Sequence, residues 1–377
     1  MTFNKQDYAP ISIRALTPGM NIDFEIYYEK DGVYVLLCKD ALLTDELIAK
    51  LKTIAFRAKN IYVPVNRRHR MLQESGVLGI LSEELKPFEG YGEIKTESKA
   101  LLDAIQRDDA ISKESTTEIT KTIEKKLDVI DAASIIHSIN TLRLTDEYLH
   151  THSVNVSLLN GLIGKWKQYD ADSISDLVLT GLLHDIGKLK IPPEILNKPG
   201  KLTDEEFEKI KAHSSLSHEM IVKMGGVADR VLYGVLQHHE KVNGKGYPDG
   251  LTFDDIDEFA RITAVSDVYD AMVAKRVYKD ANSPFKILAW FADGRFSELD
   301  IELVNIFLRC MADELTGKYV VLSNGAVAQV MFVNQLNLEY PIVKIDDDVF
   351  NTNPELYTES MYSEDSLTDA QMPPLTP

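Results

Sequence analysis

Seven side chains able to bind a metal ion through nitrogen or oxygen are threaded through one helix-prone stretch: His152, the pair His184-Asp185, His213, the pair His238-His239, and Asp267. Ligands so scattered converge only if a fold gathers them, and a set of this size suggests a buried polynuclear metal centre and a metallohydrolase. A solitary His on a helix is more often a satisfied core or surface residue, and His69, His137, His150 and His218 are placed in that class. The two adjacent pairs differ. Neighbours on a helix point roughly 100° apart, so each pair can serve two ions, or one ion and the site that bridges it to a second.

Other residues near these ligands could handle an anion. Lys188 follows Asp185 by three residues, on the same face if the helix continues, within reach of a phosphate or an attacking water. The loop Gly244-Lys245-Gly246-Tyr247-Pro248 comes directly after His238-His239 and must lie at the rim of the site. Its glycines permit tight turns, its proline stiffens the exit, and Tyr247 offers a ring and a hydroxyl. Arg276 and Lys279 are i,i+3 neighbours beyond Asp267. Taken alone, these would be a surface lysine, a turn and a solvated face.

The elements that must position this chemistry form a multidomain chain. Its 377 residues carry a prior of two or three domains, and 44% hydrophobic with 27% charged residues is ordinary globular composition. Residues 1–80 predict a small α+β regulatory module: Tyr27-Tyr28, Val33 to Leu37 and Ile61-Tyr62-Val63 as strands, and a helix opened by Thr44-Asp45-Glu46. It is a sensory or docking unit, or equally a packing module without a ligand. Residues 81–124 predict a helical linker; the stripe Ile119, Ile123, Leu127, Ile130 and Ile135 is expected either at a homodimer contact or packed on its own domain. Residues 125–318 lack alternating strands and show apolar stripes broken by caps, such as the Thr203/Glu206 box and the Gly225-Gly226 stop, which predicts an all-α core. Residues 319–345 predict a short β hairpin around Ser323-Asn324-Gly325, and 346–377, acidic and without a basic residue, a disordered tail.

Composition narrows the partners. A net charge of −18 argues against a nucleic-acid polymer, because phosphate backbones demand a basic face, so an anionic ligand needs a local cationic pocket. Cys38 and Cys310 are far apart and outside any CxxC pair, which speaks against a thiolate metal site or a disulfide framework. No stretch approaches the roughly 18 apolar residues that span a bilayer and the first residues carry no signal-peptide pattern, so a cytoplasmic location is expected.

LLHDIGKLKIPPEIL (182–196), His213, HHEKVNGKGYPDGL (238–251), ITAVSDVYDAM (262–272) and KRVYK (275–279) occur in this order, and together they resemble the HD-GYP domain, a branch of the HD-type phosphohydrolases that hydrolyse cyclic di-GMP. The resemblance covers roughly residues 125 to 320. It implies an all-α HD-type catalytic domain and a metal-dependent phosphodiesterase giving pGpG, GMP or both. His152, His184, His213, His238, His239 and Asp267 are the implied terminal ligands, with Asp185 bridging two divalent ions.

A phosphodiester repels hydroxide, so its hydrolysis needs a metal-activated hydroxide and positive charge around the phosphoryl oxygens, which two metals roughly 3.5–4 Å apart supply. Asp185 and Lys188 are the implied catalytic pair. Lys188, Tyr247, Arg276 and Lys279 are expected to hold substrate, with Glu240 and Asp270 behind them orienting histidines or cations. Five imidazoles and two carboxylates suit iron, manganese or zinc, and the resemblance favours iron or manganese. Protein partners are expected at the GYP loop.

Two positions depart from the family pattern. Tyr148 stands where some members have a glutamate for a third metal, which points to a dinuclear site. Ser214-Ser215-Leu216-Ser217 replaces a common proline and glycine. Two other functions compete: a phosphohydrolase acting on another cyclic nucleotide, and a cyclic-dinucleotide sensor or adaptor with little turnover.

Overall fold

The computed structural model describes residues 8–11, 16, 18–30, 33–54, 61–64, 67, 88, 90–108, 111–141, 148–196, 198, 200–273, 283–323, 326–345 and 348–361. The chain folds into two compact units, Met1–Lys86 with Thr316–Pro377, and Pro87–Leu315.

The first unit is assembled from both ends of the chain. Its N-terminal part is an antiparallel sheet in the order Tyr8–Ile11, Ile61–Pro64, Ile26–Lys30, Val33–Cys38, with a short pair Asn21–Ile22 and Ala41–Leu42 and the helix Asp45–Ile54. Thr44 starts that helix, its Oγ1 accepting from the Leu47 N–H at 3.2 Å. Strand periodicity turns Ile61 and Val63 inward. They join Leu16, Ile22, Ile26, Leu43 and Ile48 in one apolar cluster, which also takes in Val321 and, partly buried, Tyr319 and Val327.

Those last residues belong to a five-stranded antiparallel sheet in the order Asp348–Asn351, Asn337–Ile345, Val327–Asn334, Tyr319–Leu322, Thr358–Met361. It corrects two expectations, the short hairpin over 319–345 and the disordered tail from 346. A lone hairpin with one apolar face is marginal in water, and here each outer strand finds a further partner. Within the acidic run, Thr352, Thr358 and Met361 are buried, so enough apolar and hydrogen-bonded surface is available to order it. The tip residues Asn324-Gly325 and the segment 362–377 lie outside the described residues.

The second unit is helical. Twelve α-helices are described from Tyr91–Asp108 to Ile301–Leu315, with a 3-10 turn over Ile186–Lys190. Among its described residues there is no strand, only a single bridge between Asn243 and Thr252. The unit starts at Pro87, so the helices Tyr91–Asp108 and Lys113–Val129 belong to it, where a linker through residue 124 was expected. Thr116, Ile119, Thr120, Ile123 and Leu127 are buried on one side of Lys113–Val129, which packs on the helices Tyr148–Trp166 and Ala171–Leu183. The stripe is therefore part of its own unit's core.

At the centre runs Tyr148–Trp166, buried on all sides from residue 152 to 164. A helix buried all round needs partners for every polar side chain it carries. The Thr203/Glu206 capping box is formed, and Gly225, at φ 69°, ends the helix His213–Met224 as the sequence indicates.

Candidate metal centre

Three helices end at one point of the helical unit, and each end carries a histidine. His184 follows Ala171–Leu183, His213 follows Asp204–Lys211 across Ala212, and His238 follows Asp229–Gln237. The last carbonyls of a helix lack intrahelical donors. Here the ring supplies one: His184 Nδ1 lies 2.8 Å from Gly181 O, His213 Nδ1 2.6 Å from Ile210 O, and His238 Nδ1 2.7 Å from Val235 O. A carbonyl can only accept, so each Nδ1 carries the proton and each Nε2 presents a bare lone pair. Both adjacent pairs thus sit at turns where a helix stops, not along a continuous helical face.

His152 is held differently. It lies inside a helix whose carbonyls are already taken, and its Nδ1 donates to Asp270 Oδ2 at 2.8 Å. Asp267, one turn earlier on the helix Glu258–Val273, puts Oδ1 3.2 Å from His152 Nε2. Two carboxylates therefore grip opposite edges of this imidazole.

Asp185 stands between the histidines. Its Oδ2 is 3.4 Å from both His152 Nε2 and His184 Nε2, while its Oδ1 is 3.2 Å from His213 Nε2 and 3.9 Å from His238 Nε2. Two ligand groups result, sharing this one carboxylate: His152, His184 and Asp185, and Asp185, His213, His238 and His239. The backbone of Asp185, at φ −106° and ψ 4°, is in the sparsely populated bridge region where many active-site residues sit.

These donors fit metal ions on physical grounds. His213 Nε2 and His238 Nε2 are 3.3 Å apart, and since both rings carry their proton on Nδ1 the two lone pairs face each other. Asp185 Oδ1 is buried beside them without a hydrogen-bond partner among the described residues. Such an arrangement repels itself unless a positive charge lies between the atoms.

Titration follows the same logic. Burial, then the charge of neighbouring imidazoles, holds His238 well below the ordinary histidine range, and burial takes His239 down to about 3. Burial alone would raise the Asp185 and Asp267 carboxyls, yet the surrounding imidazoles, with Lys188 beside Asp185, hold both far below the carboxylate range. His152 is raised: burial opposes its charge, but hydrogen bonds to Asp185, Asp267 and Asp270 outweigh it. The neutral His238 and His239 and the ionised Asp185 and Asp267 are in the protonation states that metal binding requires, while His152, charged between its carboxylates, would give up its Nε2 proton on binding an ion.

The other residues singled out from the sequence fall into place unevenly. The helix does not continue through Lys188; a 3-10 turn does, and because i and i+3 eclipse in such a turn, Lys188 Nζ comes to 2.5 Å from Asp185 Oδ2. Gly187 makes this possible, since a Cβ there would sit 2.1 Å from His213 O. The Gly187 N–H donates to Ser217 Oγ at 2.7 Å, so the serine-rich departure after His213 closes the turn against the His213 helix.

Tyr247 stacks on His239, ring centroids 4.7 Å apart. Glu240 orients none of the described imidazoles: its carboxylate accepts from the N–H groups of Asp249, Gly250 and Leu251 at 2.7–3.0 Å, which ties down the loop bearing Tyr247. Gly246 lets that loop lie flat, a Cβ there meeting Glu240 Cα at 2.4 Å. Arg276 and Lys279 lie outside the described residues, as does His69.

Sequence reasoning missed Asn155, whose Nδ2 donates to Asp270 Oδ1 at 2.7 Å, and Tyr91, whose hydroxyl donates to Asn155 Oδ1 at 2.5 Å. A polar side chain within a buried helix was the available signal for Asn155, shared with Ser153, Ser157 and Asn160; Tyr91 had none.

Residues 112–303 match the HD domain profile, about half of the chain, and the chain belongs to the HD domain family. HD domains are metal-dependent, and the buried His/Asp cluster falls inside the matched segment. Within that family the resemblance to HD-GYP proteins holds. The chain is 34% identical over 224 residues to a Pseudomonas aeruginosa protein named as a cyclic di-GMP phosphodiesterase, covering 58% of this chain and 54% of that one. It is 33% identical over 174 residues to a Xanthomonas campestris cyclic di-GMP phosphodiesterase response regulator, 45% of each chain. A Vibrio cholerae 3'3'-cGAMP-specific phosphodiesterase is 36% identical over 165 residues, 44% of this chain and 38% of that one. The chain thus spans about half or less of the length of these relatives. No helix among the described residues is long and apolar enough to cross a membrane.

Proposed function

We propose that this protein is a cyclic di-GMP phosphodiesterase that hydrolyses a phosphodiester bond at two divalent metal ions. The single observation that carries this reading is Asp185, a buried carboxylate with one oxygen toward His152 and His184 and the other toward His213 and His238. His152, His184, Asp267 and Asp185 would hold one ion, and Asp185, His213, His238 and His239 the other. Bound there, the pair would supply Lewis acidity and water activated at neutral pH. Five imidazoles and two carboxylates without a thiolate suit iron or manganese, and remain compatible with zinc.

The chain's own residues would do the rest. Lys188, already paired with Asp185, presents a cation to a phosphate oxygen on the metal side. Tyr247, held over His239 by the Glu240-anchored loop, offers a flat face for a purine. Arg276 and Lys279 are assigned to phosphate oxygens, where each charged hydrogen bond is worth on the order of 1.5–3 kcal/mol. The mixed unit formed by the two chain ends contributes none of these groups and is assigned regulation.

One relative is named for 3'3'-cGAMP, which supports a second reading in which the mixed cyclic dinucleotide is preferred. The test is a side-by-side assay of cyclic di-GMP and 3'3'-cGAMP with protein purified without oxygen, following pGpG and GMP. Faster turnover of cyclic di-GMP is expected. Faster turnover of 3'3'-cGAMP would select the second reading, and turnover of neither by metal-loaded protein would contradict both.

A further inference from the structure

A chain of buried hydrogen bonds leads away from His152 and ends at the first helix of the catalytic unit. Tyr91 hydroxyl donates to Asn155 Oδ1 at 2.5 Å, Asn155 Nδ2 donates to Asp270 Oδ1 at 2.7 Å, and Asp270 Oδ2 accepts from His152 Nδ1 at 2.8 Å. Tyr91, Asn155, Asp270 and His152 are each no more than 5% exposed. Every link has a fixed direction. Asp270 takes one donor on each oxygen, and the phenol and carboxylate on either side of Asn155 define which end of its amide is oxygen.

We propose that Tyr91 and Asn155 are positioning residues for the metal centre: through Asp270 they hold the His152 ring by Nδ1, with Nε2 aimed at the ion site. This rests on the two-metal reading above. The physical need is specific to His152. His184, His213 and His238 are oriented by carbonyls of the helix turn just before them, whereas a ring inside a helix must borrow an acceptor from elsewhere. Asp270 is that acceptor, but a carboxylate with one free oxygen in the core would be under-satisfied, and could rotate.

Asn155 fills the second oxygen, and Tyr91 fixes Asn155. Tyr91 is itself pinned: Phe88 packs edge-on against it with centroids 5.4 Å apart, and the Phe88 N–H donates to Ser138 Oγ at 3.1 Å. Burial, and behind it the Asp270 charge, raises the Tyr91 phenol, which therefore remains a donor. The catalytic unit begins at Pro87, so its opening residues are wired to a metal ligand.

The test compares Tyr91→Phe and Asn155→Ala with the unaltered protein, and uses Tyr169→Phe as the control. Tyr169 makes a part-buried phenol hydrogen bond, to the Glu258 carboxylate, with no connection to a ligand among the described residues. The readouts are affinity for each of two Co(II) ions by chelator competition and the Co(II) ligand-field spectrum, with thermal unfolding alongside. Replacing a group that supports a metal ligand weakens binding by roughly 10- to 100-fold. For Asn155→Ala a loss in that range is expected at one of the two ions, with a smaller loss for Tyr91→Phe and an altered spectrum in both; Tyr169→Phe should change melting only.

Two bound ions with wild-type affinities and spectra in both variants would overturn the inference. If Asn155→Ala does not fold, Tyr91→Phe, which removes one oxygen, decides. Failure of the unaltered protein to bind two ions would instead refute the two-metal reading.

Discussion

The two halves of the metal centre are built by different means. On one side His213 and His238 are each aimed by a carbonyl three residues earlier, at 2.6 and 2.7 Å; on the other, His184 alone is aimed that way, and its neighbour His152 is aimed by Asp270, 118 positions away along the chain. The first device costs nothing beyond stopping a helix at the right residue, because the last-turn carbonyls need donors in any case. The second draws three helices together. A site of the first kind should tolerate most side-chain changes around it, and one of the second kind should fail through residues that never touch a metal.

Asp185 belongs to both halves, so its loss should have the largest effect. In Asp185→Ala hydrolysis of cyclic di-GMP should vanish with the fold largely intact and metal content reduced; near-normal turnover with two ions bound would show that no carboxylate is shared.

The asymmetry itself is tested by a pair. Asp270→Ala should weaken binding of one ion by roughly 10- to 100-fold, while Ile210→Ala, which keeps the carbonyl that His213 uses, should leave both affinities unchanged. Equal losses in the two variants, measured by chelator competition, would erase the distinction. Arg276→Ala and Lys279→Ala should disturb neither half: each is expected to lower cyclic di-GMP affinity by roughly tenfold with both metals retained. Unchanged affinity by calorimetry would return both residues to the solvated surface.

The ligands were legible in the sequence because histidine and aspartate in such number and order have few other uses, and the cap at Thr203 and the stop at Gly225 placed the helices between them. What aims those ligands was less so. A carbonyl three residues back is invisible as a residue type, and Tyr91, Asn155 and Asp270 form a chain across 179 positions, each an ordinary residue whose role exists only once the helices pack. The place of Glu240 beside the histidines points to a role orienting histidines or cations; its side chain turns instead into the backbone of residues 249–251.

The unit boundaries failed for a related reason. The charged outer face of Lys113–Val129 suggested a linker although its buried face packs on the core. The acidic content after Lys344 masked two strands, Asp348–Asn351, which pairs with the preceding Asn337–Ile345, and Thr358–Met361, which binds the Tyr319–Leu322 edge distant in sequence. Local composition carries no information about such partners.

The central claim, a pair of metal ions sharing Asp185 and required for hydrolysis, is tested most directly by elemental analysis of anaerobically purified protein, with cyclic di-GMP turnover followed as metal is withdrawn by a chelator. Two ions per chain are expected, with turnover lost as they leave and restored when iron or manganese is returned. Full turnover by protein carrying less than one ion per chain would contradict it.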